Sequence, residues 1–292
     1  MSAKQEGPHF RRAVICGVGL LGGSLGLALR ERRLADSIVG VGRRVERLKL
    51  ALDAGAIGSY SLDAREACAD ADLVVLCGPV SIILEQLPEV IESVPRGALV
   101  TDVGSTKRSI VERAAECARD GVAFVGSHPI AGSERSGVEF ARADLYQDAT
   151  VILTPDLDTS AQAVARTRAL WQALGMRVIE IAPTRHDFLL AAVSHQPHLA
   201  AAALVALLER ALDESPGLLK AVAGPGFRDT TRIAMGSVPM WLDICFENRP
   251  ALLKTLDAFI SILLEMRKAI AEEDRAAVEH FLETAARLRK GI

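Results

Sequence analysis

The chain is poor in aromatic residues, Phe, Trp and Tyr together filling only 4% of its 292 positions. It has no run of Lys and Arg interleaved with aromatics, and its formal net charge is -3. A nucleic-acid backbone requires a basic face, so no nucleic-acid partner is expected. Cysteine is sparse and unpatterned: Cys16, Cys68, Cys77, Cys117 and Cys245 make no C-x-x-C pair and do not cluster with histidine. They read as small buried residues of a reducing compartment, and no metal site is expected. The longest apolar run, 199–208, falls short of the ~20 residues of a membrane span, and residues 1–10 have no apolar signal core. A cytoplasmic location without a membrane partner follows as the expectation. Repeats and low-complexity tracts are also missing. Apolar residues are plentiful, 50% hydrophobic against 24% charged, enough to bury a large core in two domains.

The most informative stretch is Ala13-Val-Ile-Cys-Gly17-Val-Gly19-Leu20-Leu21-Gly22. An apolar run enters a G-x-G-x-x-G spacing, and Leu25, Leu27, Ala28 and Leu29 continue as one face of a helix. In a strand–turn–helix of this kind Gly17 permits the sharp turn, Gly19 clears space for a pyrophosphate, and Gly22 lets helix and strand pack closely. Gly17, Gly19, Leu20, Leu21 and Gly22 are therefore cofactor-binding candidates, with the anion on the free N–H groups at the helix start.

Strand-like and helical patterns then alternate, the signature of an α/β domain with a parallel sheet covered on both faces. Further strands are expected at 37–41, 59–62, 72–77, 98–102, 122–127, 149–154 and 177–181, and helices at 45–54, 84–94 and 107–119. A Thr159-x-x-Gln162 capping box is expected to open another helix. From Pro183 only helical periodicity remains. The expected organisation is a Rossmann-type dinucleotide-binding domain over 10–182 and an all-α domain over 183–292, with nothing left over for a third domain.

Gly78 and Pro79, which end the strand at 72–77, join the cofactor site. Cofactor choice is set where the second strand ends, here Val41-Gly42-Arg43-Arg44. Asp or Glu there would favour NAD, whereas paired guanidiniums suit a 2′-phosphate, so Arg43 and Arg44 point to NADP. Glu46 lies close enough to keep NAD as the alternative.

The chemistry is expected around Gly126-Ser-His128-Pro-Ile-Ala-Gly-Ser133-Glu134, at the carboxyl end of a strand where open α/β sheets place ligands. His128 is the candidate base. Ser105, in Asp102-Val-Gly-Ser-Thr-Lys107, ends the neighbouring strand and reads equally as a helix N-cap. In the helical half, His186-Asp187 and Ser194-His195-Gln-Pro-His198 interrupt apolar surroundings. His195 and His198 can share a helix face, but no carboxylate or thiolate completes a metal set around them. Gly224-Pro-Gly-Phe-Arg-Asp-Thr-Thr-Arg232, followed by Trp241, reads as a carboxylate-binding loop or a solvated connector. Leu252, Leu256, Phe259, Leu263, Met266 and Ile270 form a heptad-like seam, which together with 199–208 is too much apolar surface for one small helical core and points to a homodimer.

Gly17-x-Gly19-x-x-Gly22, Asp102-x-Gly104-Ser105-x-Lys107, Ser127 to Glu134, Ser194 to His198 and Gly226 to Arg232 with Trp241 are collinear and resemble the prephenate and arogenate dehydrogenases of tyrosine biosynthesis. The resemblance implies an N-terminal nucleotide domain, a helical dimerisation domain, and oxidative decarboxylation of a cyclohexadienyl substrate. By the same resemblance His128 takes the ring-hydroxyl proton and Ser105 orients that hydroxyl. Arg232 holds a substrate carboxylate, His195, His198, Ser133 and Trp241 line the pocket, and Glu134 partners or gates Arg232. The departure is Arg43-Arg44, where NAD-specific members are acidic. A β-hydroxyacid dehydrogenase should carry a lysine soon after a glycine-rich stretch of its helical half, but Gly224-Pro-Gly226 leads into Phe227 and Arg228. A pyrroline-carboxylate reductase would not need His128, and a non-catalytic NADP sensor would bind nucleotide without turnover.

Overall fold

The computed structural model describes residues 8–133, 135–211, 217 and 221–291. Its strands are β1 Phe10–Cys16, β2 Ala35–Val41, β3 Ser59–Ser61, β4 Leu73–Leu76, β5 Leu99–Asp102, β6 Ala123–Ile130, β7 Thr150–Thr154 and β8 Arg177–Glu180. They stand in the order β3-β2-β1-β4-β5-β6-β7-β8. The order reverses between β1 and β4, and that crevice at the strands' carboxyl ends is where a doubly wound sheet takes its ligand. The central strands carry apolar residues on both faces, as strands covered twice must. Helices α1 Leu20–Glu31, α2 Val45–Asp53 and α6 Ala161–Ala173 cover one face, with Leu25, Leu29, Leu48 and Trp171 in its core. Helices α3 Ala64–Cys68, α4 Val80–Ser93 and α5 Arg108–Glu116 cover the other, with Cys68, Ile83, Leu87 and Ile110 beneath them.

Three expectations need correction. The sheet is not wholly parallel: β7 runs antiparallel to β6, pairing Gly126 with Thr154 and Ile130 with Thr150. Among the described residues between them there is no crossover helix, only a 3₁₀ turn at Val138–Phe140, which does not carry the chain back for a parallel pairing. This pairing also extends β6, so that His128 lies within the strand, opposite Ile152, rather than in a loop after it. Helix α6 is capped by Ser160, whose Oγ accepts from the Ala163 N–H at 3.2 Å. Thr159 instead accepts from the Asp156 N–H at 2.9 Å, so the cap lies one residue later than expected and, with Ala163 at the third helical position, closes no capping box.

After β8 the described residues hold only helical elements. Helix α7, Pro183–Leu190, passes through a π-helical turn at Ala191–His195 into α8, Gln196–Ala211. Helix α9, Pro225–Thr231, leads through a 3₁₀ turn, Arg232–Met235, to α10, Val238–Glu247. The long α11, Arg249–Ala271, and α12, Arg275–Arg289, complete it. The continuous helical stretch Pro183–Glu209, 27 residues, is long and apolar enough to cross a membrane by length and composition. The core helix of a soluble protein meets the same test, and the stretch includes the apolar run 199–208. Its first turns are nevertheless committed to the chain, with His186 and Asp187 buried against the sheet domain.

Candidate active site

The β1–α1 turn sits at the strand-order reversal. Gly17 has φ +100°, and a Cβ there would come within 3.0 Å of the Cys77 carbonyl carbon and the Gly78 nitrogen. A Cβ on Gly22 would fall 2.1 Å from the Gly17 carbonyl oxygen, so strand and helix meet too closely for any side chain. Gly19 differs: a Cβ there would meet no protein atom within 4 Å. The space it leaves opens at the first turn of α1, where Leu20 and Leu21 follow an N-cap without any side-chain hydrogen bond. Backbone donors beside an open cradle suit a pyrophosphate. Gly78 and Pro79 form the adjoining loop, Pro79 serving as N-cap of α4. Arg43 and Arg44 are exposed where β2 ends, and neither guanidinium has a hydrogen-bond or ion-pair partner among the described residues.

A buried network gathers at the carboxyl ends of β5 and β6. The Asp102 carboxylate accepts from the Ser127 N–H at 3.0 Å and the Gly104 N–H at 2.8 Å, and it is ion-paired with the fully buried Lys107 ammonium. Lys107 also donates to the Ser127 carbonyl at 3.0 Å, so the charge is both paired and hydrogen-bonded, as a buried ion requires. The Lys107 and Arg108 N–H groups donate to Asp187 at 2.7 and 3.0 Å. The helical half thus caps α5, and Ser105 does not: the N-cap is Lys107, two residues beyond it, and α5 starts at Arg108. The N-cap reading of Ser105 is thereby corrected. Its hydroxyl makes no hydrogen bond to the described residues.

His128 is oriented through the same carboxylate. Its Nδ1 lies 2.8 Å from His186 Nε2, and His186 Nδ1 lies 2.8 Å from Asp187 Oδ1. Asp187 already accepts two backbone N–H bonds, so His186 Nδ1 must carry the proton donated to it. His186 Nε2 is then an acceptor, His128 Nδ1 a donor, and His128 Nε2 keeps a free lone pair. Burial pushes the His128 pKa well below its usual 6.5, with further lowering from His186 and Lys107. Burial also lowers His186, although its bond to Asp187 opposes the shift.

The facing wall comes from the helical half. The Asn248 amide nitrogen donates to the Asp187 carbonyl at 2.8 Å and reaches His195 Nδ1 at 3.0 Å. As that nitrogen only donates, His195 Nδ1 accepts and Nε2 carries the proton. Burial pushes the His195 pKa down to about 4, so the ring is a neutral donor near pH 7. His198 stacks on Trp241 with ring centroids 3.4 Å apart and planes 11° from parallel, and burial lowers its pKa as well. His195 approaches the same indole edge-on at 6.0 Å. Arg232 is exposed on its 3₁₀ turn and already engaged within the chain. Ser133 is exposed, its hydroxyl accepting from the Arg135 N–H at 3.2 Å, and Glu134 lies outside the described residues.

The structure thus brings His128, His195, His198 and Trp241 together through Asp187 and Asn248, residues to which sequence reasoning assigned no role. The signal available for Asp187 was a polar pair in an apolar segment. For Asn248, ahead of Pro250, the sequence offered only a helix boundary.

An unprotonated imidazole at the carboxyl edge of a nucleotide-binding sheet suits an enzyme that moves a proton and a hydride, and the protein is an NAD(P)-dependent oxidoreductase. More particularly, the chain belongs to the prephenate dehydrogenase family. The family's nucleotide-binding domain matches residues 25–180 and its dimerization domain residues 182–284. Prephenate dehydrogenase of Bacillus subtilis is 34% identical over 96% of this chain and 75% of its own length. Cyclohexadienyl dehydrogenase of Zymomonas mobilis is 34% identical over 94% of each chain. The crystal structure of Aquifex aeolicus prephenate dehydrogenase with hydroxyphenyl propionate and NAD+ superposes with a TM-score of 0.89 at 31% identity, covering 96% of this chain and 98% of that one.

Proposed function

We propose that the protein oxidatively decarboxylates prephenate, arogenate or both, in tyrosine biosynthesis, and that His128 is its base. The observation that carries this reading is the His128–His186–Asp187 chain, which leaves His128 Nε2 unprotonated and facing away from its supports. A nicotinamide dinucleotide, when bound, supplies the hydride acceptor. His128 Nε2 accepts a hydrogen bond from the substrate hydroxyl and takes its proton as hydride leaves that carbon. Loss of the ring carboxylate as carbon dioxide makes the ring aromatic, which supplies the driving force, so the protein has only to position groups and hold charge. Ser105, whose hydroxyl is uncommitted, orients the substrate hydroxyl. His195 Nε2–H donates to the substrate, Trp241, His198 and Ser133 line its pocket, and Arg232 holds a carboxylate with Glu134 as its partner or gate.

The cofactor is NADP on this reading, because unpartnered guanidiniums at Arg43 and Arg44 stand where a 2′-phosphate would lie and a carboxylate would repel it. Glu46, exposed on the first turn of α2, supports NAD as the second choice. The domains divide at residue 182, and the helical half makes a homodimer. Along α11 only Leu252 is buried, while Leu264 is 59% exposed and Leu207 of α8 likewise 59%. So the two apolar helices do not cover each other within one chain, and a second copy covers both at lower cost than water. Five unpaired cysteines fit a reducing, cytoplasmic setting. The deciding experiment is a steady-state assay crossing prephenate and arogenate with NAD and NADP. Turnover with either substrate, faster with NADP, is expected; absence of turnover in all four combinations would overturn the reading.

A further inference from the structure

Helix α4 begins beside the nucleotide cradle with no cap of its own. Its N-cap is Pro79, which has neither a side-chain acceptor nor any hydrogen bond to the free N–H groups of the first turn. The acceptor comes from the other half of the chain: Asp243 Oδ2, on α10, accepts from the Ser81 backbone N–H at 2.9 Å and from the Ser81 hydroxyl at 2.8 Å. Ser81 lies two residues beyond Pro79, and the Gly78 nitrogen stands 3.0 Å from the point a Cβ on Gly17 would occupy. Asp243 is therefore tied, across three residues, to the back of the glycine turn. On its own helix Asp243 follows Trp241 by two positions, and Trp241 stacks on His198.

We propose that Asp243 is a positioning residue that couples the two sites, so that nucleotide and substrate each raise the affinity for the other. The inference rests on the dehydrogenase reading above. A nucleotide filling the cradle orders Gly78 and Pro79, which orders Ser81 and, through Asp243, sets the start of α10 and its indole. A substrate held against that indole orders the same link from the other end. The ligand that binds second finds part of the ordering already done, which is positive coupling without a large movement. The link is suited to this because it is a charged acceptor on two donors, stronger than a neutral pair, and because the first turn of α4 has no alternative side-chain cap.

The test uses the full chain, NADP+ and hydroxyphenyl propionate, an already aromatic acid that cannot give up hydride. The dissociation constant of NADP+ is measured with the acid absent and at saturation. In the wild type the acid is expected to tighten NADP+ by about fivefold or more, the usual range of such coupling. In Asp243→Ala the ratio should fall to near one, while each ligand alone still binds within about threefold of wild type. Ser81→Ala, which keeps the backbone N–H donor and loses only the hydroxyl, should give an intermediate ratio, and it serves as the reading if Asp243→Ala does not fold. A merely structural role would lower the melting temperature and leave the ratio intact. An unchanged ratio in both variants, or a wild-type ratio of one with both ligands bound, overturns the coupling. A wild-type chain that bound neither ligand would overturn the dehydrogenase reading and the coupling with it.

Discussion

Gly19→Ala and Gly22→Ala add the same methyl group three residues apart and should fail in opposite ways. At Gly22 the new carbon would stand 2.1 Å from the Gly17 carbonyl oxygen, 3.0 Å from Ile15 Cγ2 and 3.2 Å from Cys77 Cβ. Two of those neighbours are backbone or Cβ atoms with no rotamer to change, so α1 must lift from β1 by roughly 1 Å to restore ordinary contact. Overpacking of that kind costs about 1–3 kcal/mol of stability. At Gly19 no protein atom lies within 4 Å of the added carbon, and φ, -96°, is negative as in other L residues. The stability loss should therefore be smaller than at Gly22. The methyl would instead fill the space a pyrophosphate needs. Losing one charge-assisted hydrogen bond to a backbone N–H forfeits roughly 1.5–3 kcal/mol, or about 10–100-fold in nucleotide affinity. Urea unfolding of the free protein and nucleotide titration by tryptophan fluorescence separate the two effects. Gly19→Ala binding nucleotide within about twofold of wild type, or losing as much stability as Gly22→Ala, would show that the open space is not a phosphate cradle.

Other predictions concern the base, the pH response, the cofactor and the assembly. His128→Ala should lower kcat by about 10²–10⁴-fold with nucleotide affinity nearly intact, and a variant keeping more than a tenth of wild-type kcat would remove His128 from the role. Burial holds His195 at about 4 against an ordinary 6.5, so as pH falls from 6.5 the unfolded chain binds the proton first. Stability should therefore drop by about 1.4 kcal/mol per pH unit down to pH 4 from this group; equal urea midpoints for wild type and His195→Asn at each pH would refute it. Arg43→Asp should shift kcat/KM from NADP toward NAD, and an unaltered ratio would rule out the phosphate site there. Light scattering should give twice 31.2 kDa, with an unfolding midpoint that rises with protein concentration; a single chain with a fixed midpoint would contradict the dimer.

Most of the fold was legible because it is local. The apolar run before Gly17, the break after Leu76 and the helix stripes are all set by neighbours in sequence, and β4 and β5 are found where periodicity places them. What periodicity cannot carry is strand direction. An apolar run such as Thr150–Thr154 pairs equally well in either sense, and only the lack of a crossover helix between Ile130 and Thr150 decides it. Cap positions fail for a related reason: Thr159 and Ser160 are both competent acceptors, and the turn that Thr159 makes with Asp156 leaves the cap to Ser160.

The site divides along the same line. His128 could be found because a strand end and a glycine-rich loop bracket it in the sequence. His186, Asp187 and Asn248 could not, because each reaches the site through a partner at least 53 positions away. Their arrangement follows from a single geometric fact, that α7 sets its first turns across the ends of β5 and β6. Asp187 there serves three ends at once: it caps α5, fixes the tautomer of His186 and hence of His128, and through its carbonyl and Asn248 fixes that of His195. One residue from the helical half, through its carboxylate on one side and its backbone carbonyl on the other, thus sets both the proton acceptor and a proton donor of the proposed site. The two halves are, in that sense, one site with its orienting charge on the side away from the base. The proposed base, His128 of the sheet domain, is held in its tautomer by His186 and Asp187 of the helical one, so proton transfer through it requires both to be docked.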